Sequence, residues 1–196
     1  MRIIAGSFRS RALAAPSGLA TRPTSDRLRE TLFNVLAPRM PGAAFLDLYA
    51  GSGAVGIEAL SRGAASVAFV ERAPAALSVL RANLAALGIS EGFRIHSGSV
   101  AAFLRLPRPG TKQSYDLVFL DPPYDAAKEY AATLGLLGGG ANGLLAPGAL
   151  VISEHRRKER LGKEYGSLQR SRLLEQGDAA LSFYAACFDE NSALTG

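Results

Sequence analysis

The chain has 196 residues, 48% of them hydrophobic and 20% charged, which excludes wholesale disorder and suits one globular domain with a substantial core. A single cysteine, Cys187, excludes an internal disulfide framework, and two histidines leave too few soft ligands for a structural zinc site. The net charge of +5 favours a polyanionic partner, and it is unevenly spread: basic regions at residues 1–40 and 154–172 flank a mildly acidic body.

The opening MRIIAGSFRSRALAA is arginine-rich and short of acids, like an organelle transit peptide. It lacks a clear cleavage boundary, and apolar Ile3 and Ile4 followed by Gly6 suit a small β-hairpin. The expectation is therefore a soluble, cytoplasmic protein with an N-terminal hairpin. Ser25 can cap a following helix that carries Leu28, Leu32, Val35 and Leu36 on one face and stops near Pro38.

From residue 44 onward, strand-like and helix-like segments alternate. Residues 44–49 (AFLDLY), 66–71 (SVAFVE), 93–96, 117–121 (LVFLD) and 149–154 (ALVISE) read as strands, with helices starting at Val55 and spanning 73–87 up to Gly88. Residues 130–153 hold no charge and are long enough to span a bilayer. Gly138, Gly139, Gly140, Asn142 and Pro147 instead break them into helix, loop and buried strand. Apolar stretches at 168–174 and 180–188, with a short link between them, allow an antiparallel hairpin at a sheet edge. The pattern is α/β with a mostly parallel sheet covered on both faces. Residues 1–40 form an extension, 41–190 the main domain and 191–196 a frayed tail.

At the first strand-to-helix turn, Gly51, Gly53 and Gly56 fit G-x-G-x-x-G, in which missing side chains let backbone amides approach a ligand. Glu71, twenty residues after Gly51, ends the second strand and can take both hydroxyls of a ribose. This pair points to a nucleotide-like cofactor, with nicotinamide, flavin and S-adenosylmethionine all open. Asp121, Pro122, Pro123 and Tyr124 resolve the choice. They end the fourth strand, and ligands in open α/β sheets lie beyond the carboxyl ends of strands. Two prolines stiffen the turn and remove two donors. The Asp121 carboxylate and the Pro122 carbonyl can then accept hydrogen bonds from one amino group, while Tyr124 offers a stacking face. Such a site suits a conjugated exocyclic amine: two acceptors favour a pyramidal nitrogen and aim its lone pair at an activated methyl. No metal is required.

The combination DLYAGSG, Glu71 and DPPY resembles the class I S-adenosylmethionine-dependent amino-methyltransferases. Joined to MRIIAG and RPTSDRLRETLFNVL, it closely resembles the RsmD-type bacterial 16S rRNA guanine-N2 methyltransferases over nearly the whole chain, least so after about residue 155. The resemblance implies a Rossmann-like, seven-stranded sheet with a C-terminal antiparallel hairpin and a small N-terminal hairpin-and-helix extension. It implies methylation of one guanine of small-subunit rRNA during assembly, by a monomer. Asp47, Ala50, Gly51, Ser52 and Gly53 would line the methionine end of S-adenosylmethionine, with Glu71 on its ribose and Ser99 and Val100 near its adenine. Arg22, Pro23 and Thr24 would cover the site, and Asp121 to Tyr124 would hold the base. Two departures stand out. Ser99 occupies a stretch where the family usually has an acid for the adenine amine, and DPPY replaces the usual DPPF.

The resemblance gives the basic regions a role as phosphate grips: Arg2, Arg9, Arg11 and Arg22 from the front, and Arg156, Arg157, Lys158 and Arg160 from beyond the fifth strand. A shaped RNA–protein substrate and a flipped-out base suit so short a chain. The residues alone leave rivals open: adenine N6, cytosine N4 or a protein glutamine as acceptor, a nicotinamide-dependent oxidoreductase, or a non-catalytic RNA-binding module. Outside the site, His96 reads as packed at a strand end and His155 as solvated. Cys187 reads as packed in the last strand, and Lys128 and Glu129 as a solvated helix face.

Overall fold

A computed structural model describes residues 1–15, 26–107, 114–123, 127–139 and 143–187. Short apolar runs form the parallel strands β1 (Ala44–Leu48), β2 (Ser66–Glu71), β3 (Phe93–Ser97), β4 (Tyr115–Leu120) and β5 (Leu145–Arg156). Helix α1 (Asp26–Leu36) precedes them, and α2 (Ala54–Ser61), α3 (Pro74–Ala86), α4 (Val100–Arg105) and α5 (Ala127–Gly138) lie between them. The chain then returns through β6 (Glu164–Tyr165), β7 (Leu168–Gln176) and β8 (Ala179–Ala186), the last pairing antiparallel to β5. Among the described residues the sheet order is β3-β2-β1-β4-β5-β8-β7-β6. The two-residue β6 adds an eighth strand at the outer edge to the seven expected. No described helix is long and apolar enough to cross a membrane, and the uncharged stretch at 130–153 divides between α5 and β5.

Alternation along the strands builds a core on each face of the sheet. Phe45, Phe69, Phe119, Ile152 and Phe183 meet Leu32, Phe33 and Leu36 of α1, Ile57 of α2 and Leu80 of α3. On the other face, Leu46, Leu48, Val118, Val151 and Tyr184 meet Phe103 and Leu104 of α4 and Leu134 and Leu137 of α5. The strand order reverses between β1 and β4, which opens a crevice beyond their carboxyl ends.

The N-terminal extension is welded to this core rather than tethered beside it. Its hairpin closes through the Arg2–Ala12 bridge, and Ile3 and Leu13 are buried in the same cluster as α1. Glu58 on α2, fully buried, accepts from the backbone N–H groups of Ile4 (2.8 Å) and Ala5 (3.0 Å) and from Arg62 Nε (2.7 Å). Arg29 on α1, also fully buried, lies with its Nε 4.0 Å from Glu58 and donates to Asp26 (2.9 Å) and to the Arg2 carbonyl. Burial pulls the Arg29 pKa down, against the attraction of Glu58, Asp26 and Glu154. Ser61 accepts from Phe8 N (3.0 Å) and donates to the Ala5 carbonyl (2.6 Å), so α2 reads the backbone of the hairpin. At Gly6 a Cβ would stand 1.8 Å from the Ser61 carbonyl oxygen, so only glycine permits this approach.

Candidate active site

The turn after β1 is built by an unusual backbone. Tyr49, Gly51 and Gly53 all have positive φ, at 62°, 56° and 80°. The strain at Tyr49, about 1–3 kcal/mol for a side-chain-bearing residue there, is held by two hydrogen bonds. Its hydroxyl lies 2.8 Å from Glu129 Oε2 and 2.7 Å from Thr133 Oγ1, both on α5. The three motif glycines do different jobs. Gly51 faces the crevice, whereas a Cβ on Gly53 would fall 2.2 Å from Leu80, and one on Gly56 2.3 Å from Phe69. Gly53 and Gly56 therefore serve close packing of α2 on β2 and α3, and only Gly51 offers open backbone to a ligand.

Acidic groups surround this turn. Glu71 at the end of β2 accepts from Gly51 N (2.8 Å), Arg72 N (2.8 Å) and Ala73 N (2.7 Å), which fixes its carboxylate against the glycine turn. Asp47, 2% exposed, accepts from Gly56 N (2.8 Å) in the first turn of α2. Burial nevertheless pushes its pKa up to about 7, with the Glu71 charge adding to the rise and the Gly56 hydrogen bond opposing it. Asp121 follows β4, and the pairing of Leu120 with Ser153 brings it level with Glu154 on β5. Burial of its carboxyl, reinforced by Glu154 and Asp47, moves its pKa well above the ordinary carboxylate range.

These groups border one crevice of about 840 Å³. Asp47, Ala50, Gly51, Ser52, Glu71, Ser99, Val100, Asp121, Pro122 and Pro123 all line it; Gly53 does not. Ser99 is the N-cap of α4, its Oγ accepting from Ala102 N at 3.2 Å, so its hydroxyl is already engaged by the helix. Arg22, Pro23, Thr24, Tyr124 and the helix cap Ser25 lie outside the described residues, as does the tail at 191–196. The extension still reaches the site, because Met1 and Ala15 line the crevice. Asn83 of α3 sets this contact: it accepts from Ala14 N (2.8 Å) and donates to the carbonyls of Ala14 (3.1 Å) and Ser52 (2.9 Å).

Arg2, Arg9, Arg11, Arg156, Arg157, Lys158 and Arg160 are all exposed. Arg156 ends β5 at the crevice edge of the sheet, and the basic run continues from it. Arg11 is turned aside to the Ala86 carbonyl (2.9 Å), and Arg2 lies 4.0 Å from Asp26. Several lining residues escape sequence reasoning: Tyr49, Arg72, Arg105, Lys128, Glu129 and Thr133. Lys128 is exposed as expected, but Glu129 is bonded to Tyr49 rather than presented to solvent. His155 is not solvated. It is buried, with Nε2 2.9 Å from Ser182 Oγ, and burial lowers its pKa. Cys187 lies just past β8 and is exposed rather than packed.

A mostly parallel sheet carries a glycine turn bonded to a strand-end acid and an Asp-Pro-Pro turn across the same crevice, a Rossmann-like frame suited to a methyltransferase. Known proteins agree. "Ribosomal RNA small subunit methyltransferase D" of Escherichia coli (strain K12) is 42% identical over 79% of this chain and 74% of its own length. Its Haemophilus influenzae namesake is 39% identical over 79% and 78%. A solved Escherichia coli protein, yhhF, provisionally described as a methyltransferase, superposes with a TM-score of 0.81 at 36% identity, covering 95% of this chain and 98% of that one. The chain belongs to the family described as "Conserved hypothetical protein 95", whose model matches residues 1–185, and it is a methyltransferase.

Proposed function

We propose that the protein transfers the methyl group of S-adenosylmethionine to the exocyclic N2 amine of a guanine in small-subunit rRNA. The observation that carries this reading is the meeting of Asp121, Pro122 and Pro123 with Gly51 and Glu71 around one crevice. The crevice fits the cofactor. Gly51 leaves open backbone toward it, and Glu71 is held in place by three amides, with about one acceptor position left on Oε2 for a ribose hydroxyl. When bound, the sulfonium supplies an already activated methyl.

The chain's own residues then position and polarise. Asp121 and the Pro122 carbonyl accept the two amine hydrogens, the charge-assisted bond to Asp121 contributing about 1.5–3 kcal/mol and the neutral one to Pro122 about 0.5–1.5 kcal/mol. Tyr124 stacks on the base for about 1–3 kcal/mol. Alignment of the two reactants is the larger effect, up to about 7–11 kcal/mol. As the amine is methylated, its surplus proton would leave through Asp121 to solvent, while the Pro122 carbonyl would keep hold of the remaining hydrogen. Arg156, Arg157, Lys158 and Arg160 grip phosphates beside the crevice, while Arg22, Pro23 and Thr24 cover the cofactor. The substrate is a partly assembled subunit in the cytoplasm, and the enzyme acts as a monomer.

Calorimetry with S-adenosylmethionine and with NAD tests the cofactor: binding of the first alone is expected, and binding of NAD alone would overturn the reading. Methylation of naked rRNA as fast as of assembled particles would contradict the particle substrate. Asp121→Ala is expected to abolish methyl transfer while cofactor binding persists.

A further inference from the structure

We propose that Tyr49 is a positioning residue for methyl transfer, its hydroxyl fastening the cofactor turn to the helix that follows the Asp121–Pro123 turn. The inference rests on the methyl-transfer reading above. Two independent observations support it. The first is the backbone: Tyr49 sits at φ 62°, a conformation that Ser10 alone shares among the described non-glycine residues, and it occurs in the turn that carries Gly51. The second is the side chain, which crosses from that turn to α5. Glu129 and Thr133 are one helical turn apart and present their polar atoms to the same phenol, at 2.8 and 2.7 Å.

The chemistry fixes the direction of both bonds. A carboxylate only accepts, so the Tyr49 O–H donates to Glu129, and the phenolic oxygen accepts from the Thr133 hydroxyl. Burial raises the Tyr49 pKa, so the phenol keeps the proton this chain of bonds requires. A phenylalanine would fill the same space, so the hydroxyl's contribution is the tie itself. All three residues line the crevice shared by Gly51 and Asp121. One end of the tie is the methyl-donor side and the other is the helix beginning just after the acceptor turn. Their separation sets the distance from methyl to nitrogen, and a misplacement of about 1 Å costs roughly a hundredfold in rate.

The test compares Tyr49→Phe with wild type, using S-adenosylmethionine and small ribosomal subunits from cells lacking the enzyme. A positioning role predicts a kcat loss of about tenfold or more, with cofactor Kd within about twofold. It also predicts faster amide exchange across Ala127–Gly138 in the cofactor-bound variant. Thr133→Val should share the kcat loss, and Thr133→Ser, which retains a hydroxyl, should recover most of it. An unchanged kcat in Tyr49→Phe would overturn the proposal. So would a loss of kcat accompanied by equal losses of cofactor affinity and melting temperature, which a merely structural role produces. If wild-type protein itself transfers no methyl, the proposed function fails, while unchanged or faster exchange in α5 still decides the tie.

Discussion

Asp121 is the residue on which the chemistry turns, and its surroundings make a definite pH prediction. Glu154 and Asp47 flank it, and burial with these charges raises its pKa. It can take up the surplus amine proton only when ionised, so kcat should climb with pH as its own proton leaves, at a pH well above the ordinary carboxylate range. Asp121→Asn keeps one acceptor but no charge; it should flatten that limb and lower kcat by roughly ten- to a hundredfold. Asp47 predicts a stability effect of the opposite sense to most carboxylates. Its pKa is raised from 3.8 to about 7, so the folded protein holds a proton that the unfolded chain has released. That contribution is present in full below pH 3.8 and is lost as pH rises through 7. Asp47→Asn, which still accepts from Gly56, should stabilise the cofactor-free protein at pH 8 by up to about 4 kcal/mol and leave it nearly unchanged near pH 4. Urea unfolding at the two pH values measures the difference. Asp121 and Glu71 were legible in sequence because a turn and a strand end announce them. Glu58 and Arg29 were not: an isolated Glu in AVGIEALS and an Arg in DRLRE carry no mark of burial, and only the fold brings them together in the interior.

At the scale of elements, the extension is the part that distinguishes this chain from a bare Rossmann sheet. Ile3 and Leu13 anchor it by burial, and its other anchors are backbone groups read by side chains of the core, which no pattern in residues 1–15 reveals. Asn83→Ala would leave the Ala14 N–H and the Ala14 and Ser52 carbonyls without this partner, at a cost of about 1–3 kcal/mol. Because Ala15 and Ser52 line the crevice, S-adenosylmethionine affinity should fall with it. Calorimetry checks this, and a variant that loses stability with unchanged affinity would separate the extension from the cofactor. Glu58→Ala removes the acceptor for Ile4, Ala5 and Arg62 and leaves Asp26 as the carboxylate paired with the buried Arg29, so about 3–5 kcal/mol of stability should be lost. The main strands and long helices were readable because their apolar runs and glycine or proline stops are strong. Helix α4, with six residues, and strand β6, with two, are too short to leave a periodic signal. The early start of β5 at Leu145 hides behind Pro147, which is accommodated by a register shift against β4.

Over the whole molecule, the net charge of +5 separates into regions with different fates. Arg29 is spent inside the core, and Arg11 is occupied with Ala86. Arg156, Arg157, Lys158 and Arg160 remain exposed where β5 ends, on the edge that holds Asp121. If they grip phosphates, replacing Arg156, Arg157 and Lys158 together by alanine should weaken particle binding and flatten its log–log salt dependence, by about 0.7–0.9 for each phosphate no longer neutralised. Unchanged salt dependence would assign binding elsewhere. The basic surface and the Asp-Pro-Pro turn are both in keeping with the proposal that this methyltransferase marks a single guanine of small-subunit rRNA. Mass analysis of nucleosides in 16S rRNA from cells lacking the gene tests it directly. The account predicts that N2-methylguanosine falls by one residue per molecule and returns when the wild-type gene, but not Asp121→Ala, is restored. An unchanged N2-methylguanosine content would contradict it.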